Sequence, residues 1–356
     1  MSSKIAGVLL ALASIAPALA DAAPPIKGAG STAAAPIYAV WAENYKKVSE
    51  TQLDYDAIGS GGGMARIRER KVDFGASDIS PSPADLQKDG LVAIPTVVTA
   101  AVPVVNIPGI GHGQLRLSGE LLASIFIGQV AAWNAPEIRV LNPKLKLPAT
   151  PIRVVVRADG SGTTYHFTDY LAKVSPEWAK VRGVKSQFEW PAQFVAVRGS
   201  GEVARAVKAT AGAIGYIDYN YVVDQDLSFT QMRNAAGQFV APSPEAFAAA
   251  VQNSDWYKRG EFTSGITNMP GSSTWPITMG TYVLLPRVSK SPDATLAALR
   301  FLTWGYLNGD SLARVAKFVP LPRMVQGRAY AEIAKIIDDK GNALGLQTLA
   351  PATATR

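Results

Sequence analysis

The chain has 356 residues, with 35 Lys and Arg against 28 Asp and Glu, two His and no Cys. The missing Cys excludes disulfides, thiolate metal sites, a Cys nucleophile and a lipid-modified Cys, and two histidines argue against a His-built metal site. The formal charge of +7 is spread along the chain and bears on solubility and encounter rate, not on nucleic acid.

The first 20 residues read as an export signal: Lys4, an apolar run over 5–16, and Ala18-Leu19-Ala20 with cleavage expected after Ala20. The run is too short for a comfortable membrane span. Losing Lys4 leaves +6 (34 basic minus 28 acidic) and a mature length suited to two domains.

Residues 26–27 begin a short strand that enters Gly28-Ala29-Gly30-Ser31-Thr32-Ala33. Ile37, Trp41, Tyr45 and Val48 then recur at helical spacing behind Pro36. Residues 53–58 read as a strand ended by Gly59-Ser60-Gly61-Gly62-Gly63, and 64–70 as a helix. Arg66, Arg68, Arg70 and Lys71 make a solvated basic face there. Residues 72–78 form a short strand delivering Ser77-Asp78 to its C-terminal end, and Ser82 with Asp85 fits a capping box. The apolar, β-branched run 93–106, interrupted by Pro95 and Pro103, reads as a buried strand crossing between two lobes.

A helix–turn pattern runs from Leu115 through Phe126 into a loop at Trp133-Asn134. The β-branched run 152–156 then enters Arg157-Ala158-Asp159-Gly160-Ser161-Gly162-Thr163-Thr164, followed by a helix with Phe167, Tyr170, Leu171 and Val174 on one face. Residues 213–217 read as a strand, 244–251 as a helix within the loop-rich stretch 224–275, and 281–285 as a second crossing strand. Helices are expected over 293–307, 311–317 and 329–337. Strands alternating with helices give an α/β protein with mostly parallel sheets.

Three strand-to-helix junctions share one chemistry: Gly30-Ser31-Thr32, Gly59-Ser60-Gly61 and Asp159-Gly160-Ser161-Gly162-Thr163. Each sets hydroxyls beside the unpaired first N–H groups of a helix, where the macrodipole favours an anion. Taken singly, each is a turn with an N-cap serine. Three together, with the guanidinium of Arg157, point to an oxyanion gathered at the C-terminal ends of strands. Asp78 restricts the anion. A carboxylate accepts a hydrogen bond only from a ligand that keeps a proton, as phosphate does near neutral pH and sulfate does not. Facing sulfate, Asp78 is an unpaired like charge at a cost of several kcal/mol. Asp159, two residues after Arg157, is placed to pair with it or to cap the following helix.

Two other patterns compete. Ser161, His166 and Asp159 suggest a catalytic triad, yet no G-x-S-x-G elbow surrounds the serine, and His166 falls inside the following helix in a surface or packing role. Gly28-x-Gly30-x-x-Ala33 with Asp54 fits the dinucleotide pattern, but its strand is very short and the other two anion junctions have no part in it.

At Gly28-Ala29-Gly30-Ser31-Thr32, Ile58-Gly59-Ser60-Gly61-Gly62-Gly63, Val72-Asp73-Phe74-Gly75-Ala76-Ser77-Asp78 and Arg157-Ala158-Asp159-Gly160-Ser161-Gly162-Thr163 the chain resembles the periplasmic phosphate-binding proteins (PstS) of phosphate ABC importers. Val105-Asn106-Ile107-Pro108-Gly109, Gly212-Ala213-Ile214-Gly215-Tyr216 and Trp275-Pro276-Ile277-Thr278 extend the resemblance over nearly the whole mature chain. It implies the two-lobed type II periplasmic-binding-protein fold: lobe 1 from 21–104 plus 280–356, lobe 2 from 105–279, each a mostly parallel sheet flanked by helices, joined by two crossing strands.

It implies one phosphate between the lobes, held by Thr32, the N–H of Ala33, Ser60 and Asp78 from the first, and by Arg157, Ser161, Gly162 and Thr163 from the second, with Asp159 pairing Arg157. The chain departs from the family at Ala33-Ala34-Ala35, where an aromatic and a proline are usual; the N–H survives, while the packing behind it differs. The expected protein is a periplasmic monomer, not an enzyme, without cofactor or metal, that hands phosphate to a membrane permease and its ATPase. Arsenate is not separated from phosphate by these residues. A secreted phosphatase on the same scaffold is the alternative; it needs an activated nucleophile that the sequence does not offer. A surface-adhesion role is left open.

Overall fold

The computed structural model describes residues 24–348, so the export-signal reading of 1–20 lies outside them. In chain order the elements that build the cleft are β1 (Ile26–Gly30), α1 (Ala35–Ser49), β2 (Leu53–Asp56), α2 (Ser60–Arg68), β3 (Phe74–Ser77), α3 (Pro83–Asp89) and β4 (Leu91–Asn106). They continue with β5 (Arg153–Arg157), α4 (Gly162–Val174), β6 (Val195–Val197), α5 (Ser200–Ala209), β7 (Ala213–Asp218), α6 (Tyr219–Asp224), β8 (Thr278–Pro286), α7 (Pro292–Asn308) and β9 (Val319–Pro320). Among the described residues these strands make one mixed sheet in the order β2-β1-β3-β8-β4-β7-β5-β6, with β9 added to β4. β1 lies parallel to β2 and β3, and β5 parallel to β6 and β7, whereas β4 and β8 run antiparallel to their neighbours.

β4 is the spine. From Leu91 to Ala100 it pairs with β8, and from Ala101 to Asn106 it pairs with β7. The strand is long and almost wholly buried because its β-branched and small residues pack on both faces. Its prolines do not end it. Pro95 sits where the β4–β8 register slips, between Val98↔Gly280 and Pro95↔Tyr282, so the missing N–H falls in a bulge. Pro103 stays in register opposite Tyr216. At the change of partners, Ala101 N–H donates to Ile277 O at 2.9 Å, and Trp275 Nε1 donates to Ala101 O at 3.0 Å.

Helices cover the sheet largely where their apolar spacing predicts. On α4, Phe167, Tyr170 and Leu171 are buried, and Phe167 stacks on Tyr216 with ring centroids 4.1 Å apart. On α1 the buried residues are Ile37, Tyr38, Trp41 and Tyr45, while Val48 is 69 % exposed, so the apolar stripe stops one turn before the spacing suggests.

Several boundaries differ from expectation. α2 begins at Ser60, not at 64, so Gly61, Gly62 and Gly63 are helical. Their role is close approach: a Cβ at Gly63 would lie 2.5 Å from Gly30 Cα. The last expected helix, 329–337, is Arg323–Ile333 instead, and Ile337 pairs with Val288 in a small two-stranded sheet. α5 lies in a stretch for which the sequence reading expects no element. The basic cluster is solvated and matched by acids, with Arg66 on Asp56 at 2.8 Å, Arg68 on Asp89 at 2.7 Å and Lys71 on Glu69 at 2.6 Å. No described helix is long and apolar enough to cross a membrane.

Candidate functional site

The C-terminal ends of β1, β3, β5 and β7 meet the N-terminal ends of α2, α4 and α5, as expected for ligand-binding ends of an α/β sheet. Asp78, one residue past β3, is buried and accepts from Ser31 Oγ at 2.5 Å and Ser60 Oγ at 3.1 Å. Ser60 Oγ in turn accepts the N–H of Asp78 at 3.1 Å. Burial, reinforced by the charge of Asp218, pushes the Asp78 carboxyl up to about 7, against the pull of the two serines and Arg157.

Arg157 closes β5 and is 2 % exposed. Its Nε and Nη2 donate to Asp159 Oδ1 and Oδ2 at 2.7 and 2.5 Å, a bidentate pair, and its Nη1 donates to Ser200 Oγ at 3.1 Å. Burial alone would raise the Asp159 carboxyl, but the hydrogen bonds and charge of Arg157 outweigh it and hold it below its usual range. Ser161 caps α4, its Oγ accepting from Thr164 N–H at 3.1 Å. Thr163 Oγ1 donates to Asp218 Oδ1 at 2.7 Å. Thr32 Oγ1 lies 2.9 Å from Ser200 Oγ, and Ala33, next in the chain, is fully buried.

The two groups of residues touch. Gly61 N–H donates to Gly160 O at 3.0 Å, Tyr221 OH donates to Thr32 O at 3.2 Å, and His166 Nε2 lies 2.7 Å from Asp78 O. Two glycines permit this approach. Gly59 has φ +85°, and a Cβ there would fall 2.7 Å from Asp159 Oδ2; a Cβ at Gly162 would fall 2.5 Å from Asp78 Oδ2 and 2.7 Å from Ser60 Oγ.

The triad residues are each engaged elsewhere: Ser161 on Thr164, Asp159 on Arg157, His166 on Asp78 O. His166 is buried, and burial lowers its affinity for a proton. A neutral ring donates through Nε2 to the Asp78 carbonyl, so the histidine takes neither a surface nor a simple packing role. Asp54 is exposed on β2.

Three contributors escaped the sequence reading: Ser200, Asp218 and Tyr221. Ser31, named there only as part of its junction, turns out to donate to Asp78. Ser200 carried a signal. Gly199-Ser200-Gly201 repeats Gly59-Ser60-Gly61, with N-cap glycines at φ 78°, ψ 158° and φ 85°, ψ 159°, and Val203 and Val207 mark the helix behind it. Asp218, like Asp78, ends a short apolar strand.

A family profile described as a PBP superfamily domain matches residues 16–299. A protein named phosphate-binding protein PstS from Xylella fastidiosa is 41 % identical over 297 residues, 83 % of this chain and 81 % of its own. Its namesake from Pasteurella multocida is 39 % identical over 325 residues, 91 % of this chain and 94 % of its own. Among solved structures, a phosphate-binding protein from Stenotrophomonas maltophilia superposes with a TM-score of 0.66 at 21 % identity, over 91 % of this chain and 98 % of that one. That likeness is one of fold.

Proposed function

The chain belongs to the PBP superfamily and, within it, to the phosphate-binding proteins named PstS, and on that premise we propose that it captures inorganic phosphate between two lobes for a phosphate ABC importer. Its architecture is the α/β fold of that family, and it is a binding component, not an enzyme. The lobes are taken as 21–104 plus 280–356 and 105–279; β4 changes partners at Ala100–Ala101, a few residues before that boundary, so that 101–104 already pair with β7 of the second lobe. The proposed ligands are Thr32, the Ala33 N–H, Ser60 and Asp78 on one side, and Arg157, Ser161, Gly162 and Thr163 on the other. Asp159 aims Arg157.

The observation that carries this reading is the convergence at Gly162, whose missing side chain lets the start of α4 come against Asp78 and Ser60. Donors then surround one point: hydroxyls, helix N-termini and a guanidinium, with a carboxyl opposite. Phosphate touching both sides stabilises only the closed arrangement, so ligand selects closure. Asp78 selects an anion that still carries a proton, hence phosphate over sulfate. The carrier works in the periplasm as a monomer after cleavage at Ala20, passing its ligand to a membrane permease driven by an ATPase, with no nucleic acid involved.

The test is direct. Protein purified without added phosphate is denatured, and the released anion is assayed colorimetrically. About one phosphate per chain is expected; none released, together with no binding on titration, would overturn the reading.

A further inference from the structure

The cleft is built twice. Ser60 follows Gly59 at the start of α2 and donates to Asp78, 18 residues on; Ser200 follows Gly199 at the start of α5 and donates to Asp218, also 18 residues on. A hydroxyl from the preceding strand-to-helix junction completes each set: Ser31 Oγ on Asp78 at 2.5 Å, and Thr163 Oγ1 on Asp218 at 2.7 Å. Each half thus carries one fully buried carboxyl with two hydroxyls on it.

The second set decides which way hydroxyl protons point. An ionised Asp218 accepts from Thr163 and, at 2.5 Å, from Ser200. Ser200 has given away its only proton, so its Oγ accepts from Arg157 Nη1 at 3.1 Å and from Thr32 Oγ1 at 2.9 Å. With Asp218 ionised, the protons of Thr32, Ser200 and Thr163 all run toward its carboxylate, and Thr32 and Thr163 present lone pairs to an incoming anion. A proton added to Asp218 reverses one branch. The acid then donates to Ser200 or to Thr163, and a hydroxyl proton of Thr32 or Thr163 is released toward the ligand.

We propose that Asp218 is a second specificity-determining acid, the counterpart of Asp78, and that it takes up a proton from solvent when phosphate binds. This rests on the phosphate-binding reading above. Charge points the same way. From β5 the guanidinium of Arg157 faces Asp218, and from beyond β3 comes the carboxyl of Asp78; Asp159 holds two of the guanidinium's donors. Tyr216 on β7 and Tyr221 on α6 stay neutral, both pushed up to about 12, chiefly by burial. An arriving dianion adds to the negative side of this set, and a proton on Asp218 offsets it. Burial already raises the Asp218 carboxyl, against the pull of Ser200, Thr163 and Arg157.

Phosphate is titrated calorimetrically at about pH 9 in buffers of different ionisation enthalpy, which counts the protons taken up per ligand bound. The wild-type chain is expected to take up at least about one, and Asp218→Asn about one fewer, with an affinity that falls about tenfold less per pH unit. An unchanged proton count in Asp218→Asn, or none in the wild type, overturns the inference while leaving phosphate binding intact; no phosphate heat in the wild type overturns the underlying function instead. If Asp218→Asn does not fold, infrared difference spectra with and without phosphate decide. A protonated-carboxyl C=O band gained by the wild type and by Asp78→Asn assigns the proton to Asp218; its absence, or its loss in Asp78→Asn, contradicts it.

Discussion

Asp78 faces a demand that few side chains meet: it is buried, it already accepts from two serines, and burial moves its carboxyl to about 7. Replacing it by Asn supplies an N–H where a carboxylate stood, so the phosphate-to-sulfate affinity ratio is expected to fall on the order of 100-fold in Asp78→Asn. Competition titration reads this out, and an unchanged ratio would make Asp78 structural. In the wild type the same ratio should shrink as pH drops below about 7, because a protonated Asp78 can donate to sulfate. The linkage sign also follows. A carboxyl raised above its unfolded value of 3.8 takes a proton more readily when folded, so its contribution to stability is complete below that value and lost as pH rises through about 7. Asp78→Asn should therefore raise the melting temperature near pH 8 and leave it nearly unchanged near pH 4. Arg157 is the opposite case. Truncating it to Met leaves Asp159 buried without its partner and should cost about 3–5 kcal/mol in stability by denaturant melts. Adding Asp159→Asn should recover part of that loss without restoring phosphate binding, separating the ion pair's structural share from the guanidinium's contact with the anion.

At the level of elements, the start of α4 against the end of β3 is the point of closest approach. A methyl at Gly162 meets Asp78 and Ser60, which belong to the other half of the cleft, so Gly162→Ala burdens closure more than folding. Phosphate affinity should drop about 10- to 100-fold, with little change in the melting temperature of phosphate-free protein. A large fall in that melting temperature would place the strain inside one half. How far such elements can be read from sequence depends on their chemistry. The β-branched run before Arg157 and the hydroxyl-bearing glycine turn after it announce strand, junction and helix locally. The junction at Gly199-Ser200-Gly201 repeats the same signs, but its strand, Val195–Val197, is short and half exposed, so no apolar run points to it. Asp218 was hidden for another reason: a strand-end acid has no local mark of whether it meets solvent or a second helix N-terminus. Only the pairing of β7 with β4 and β5 decides that. Three glycines in a row resemble a loop and so place the expected start of α2 at 64, whereas here they let a helix lie against β1.

For the whole molecule, β4 and β8 are the continuous connections between the two halves, and β4 exchanges partners at Ala100–Ala101, where a hinge is expected on the two-lobe reading. Their identity as crossing strands was legible because long buried runs must lie between layers. The mutual placement of the halves was not, since Gly61 to Gly160 and Tyr221 to Thr32 are contacts between residues about 100 or more positions apart. Across the cleft the halves hydrogen-bond at Gly61–Gly160, Tyr221–Thr32, Thr32–Ser200 and His166–Asp78, and elsewhere at Tyr282–Phe262 and Arg328–Trp256; a ligand that binds both halves is expected to shift the balance toward the closed form. Small-angle scattering should show a smaller radius of gyration on adding phosphate and none on adding sulfate. Whether this cleft selects phosphate comes down to one comparison. Calorimetric titration of phosphate-stripped protein at about pH 9, where Asp78 is ionised and phosphate still carries a proton, first with sulfate and then with phosphate, decides it. One phosphate per chain with no measurable sulfate is the expected result, and comparable binding of both anions would contradict it.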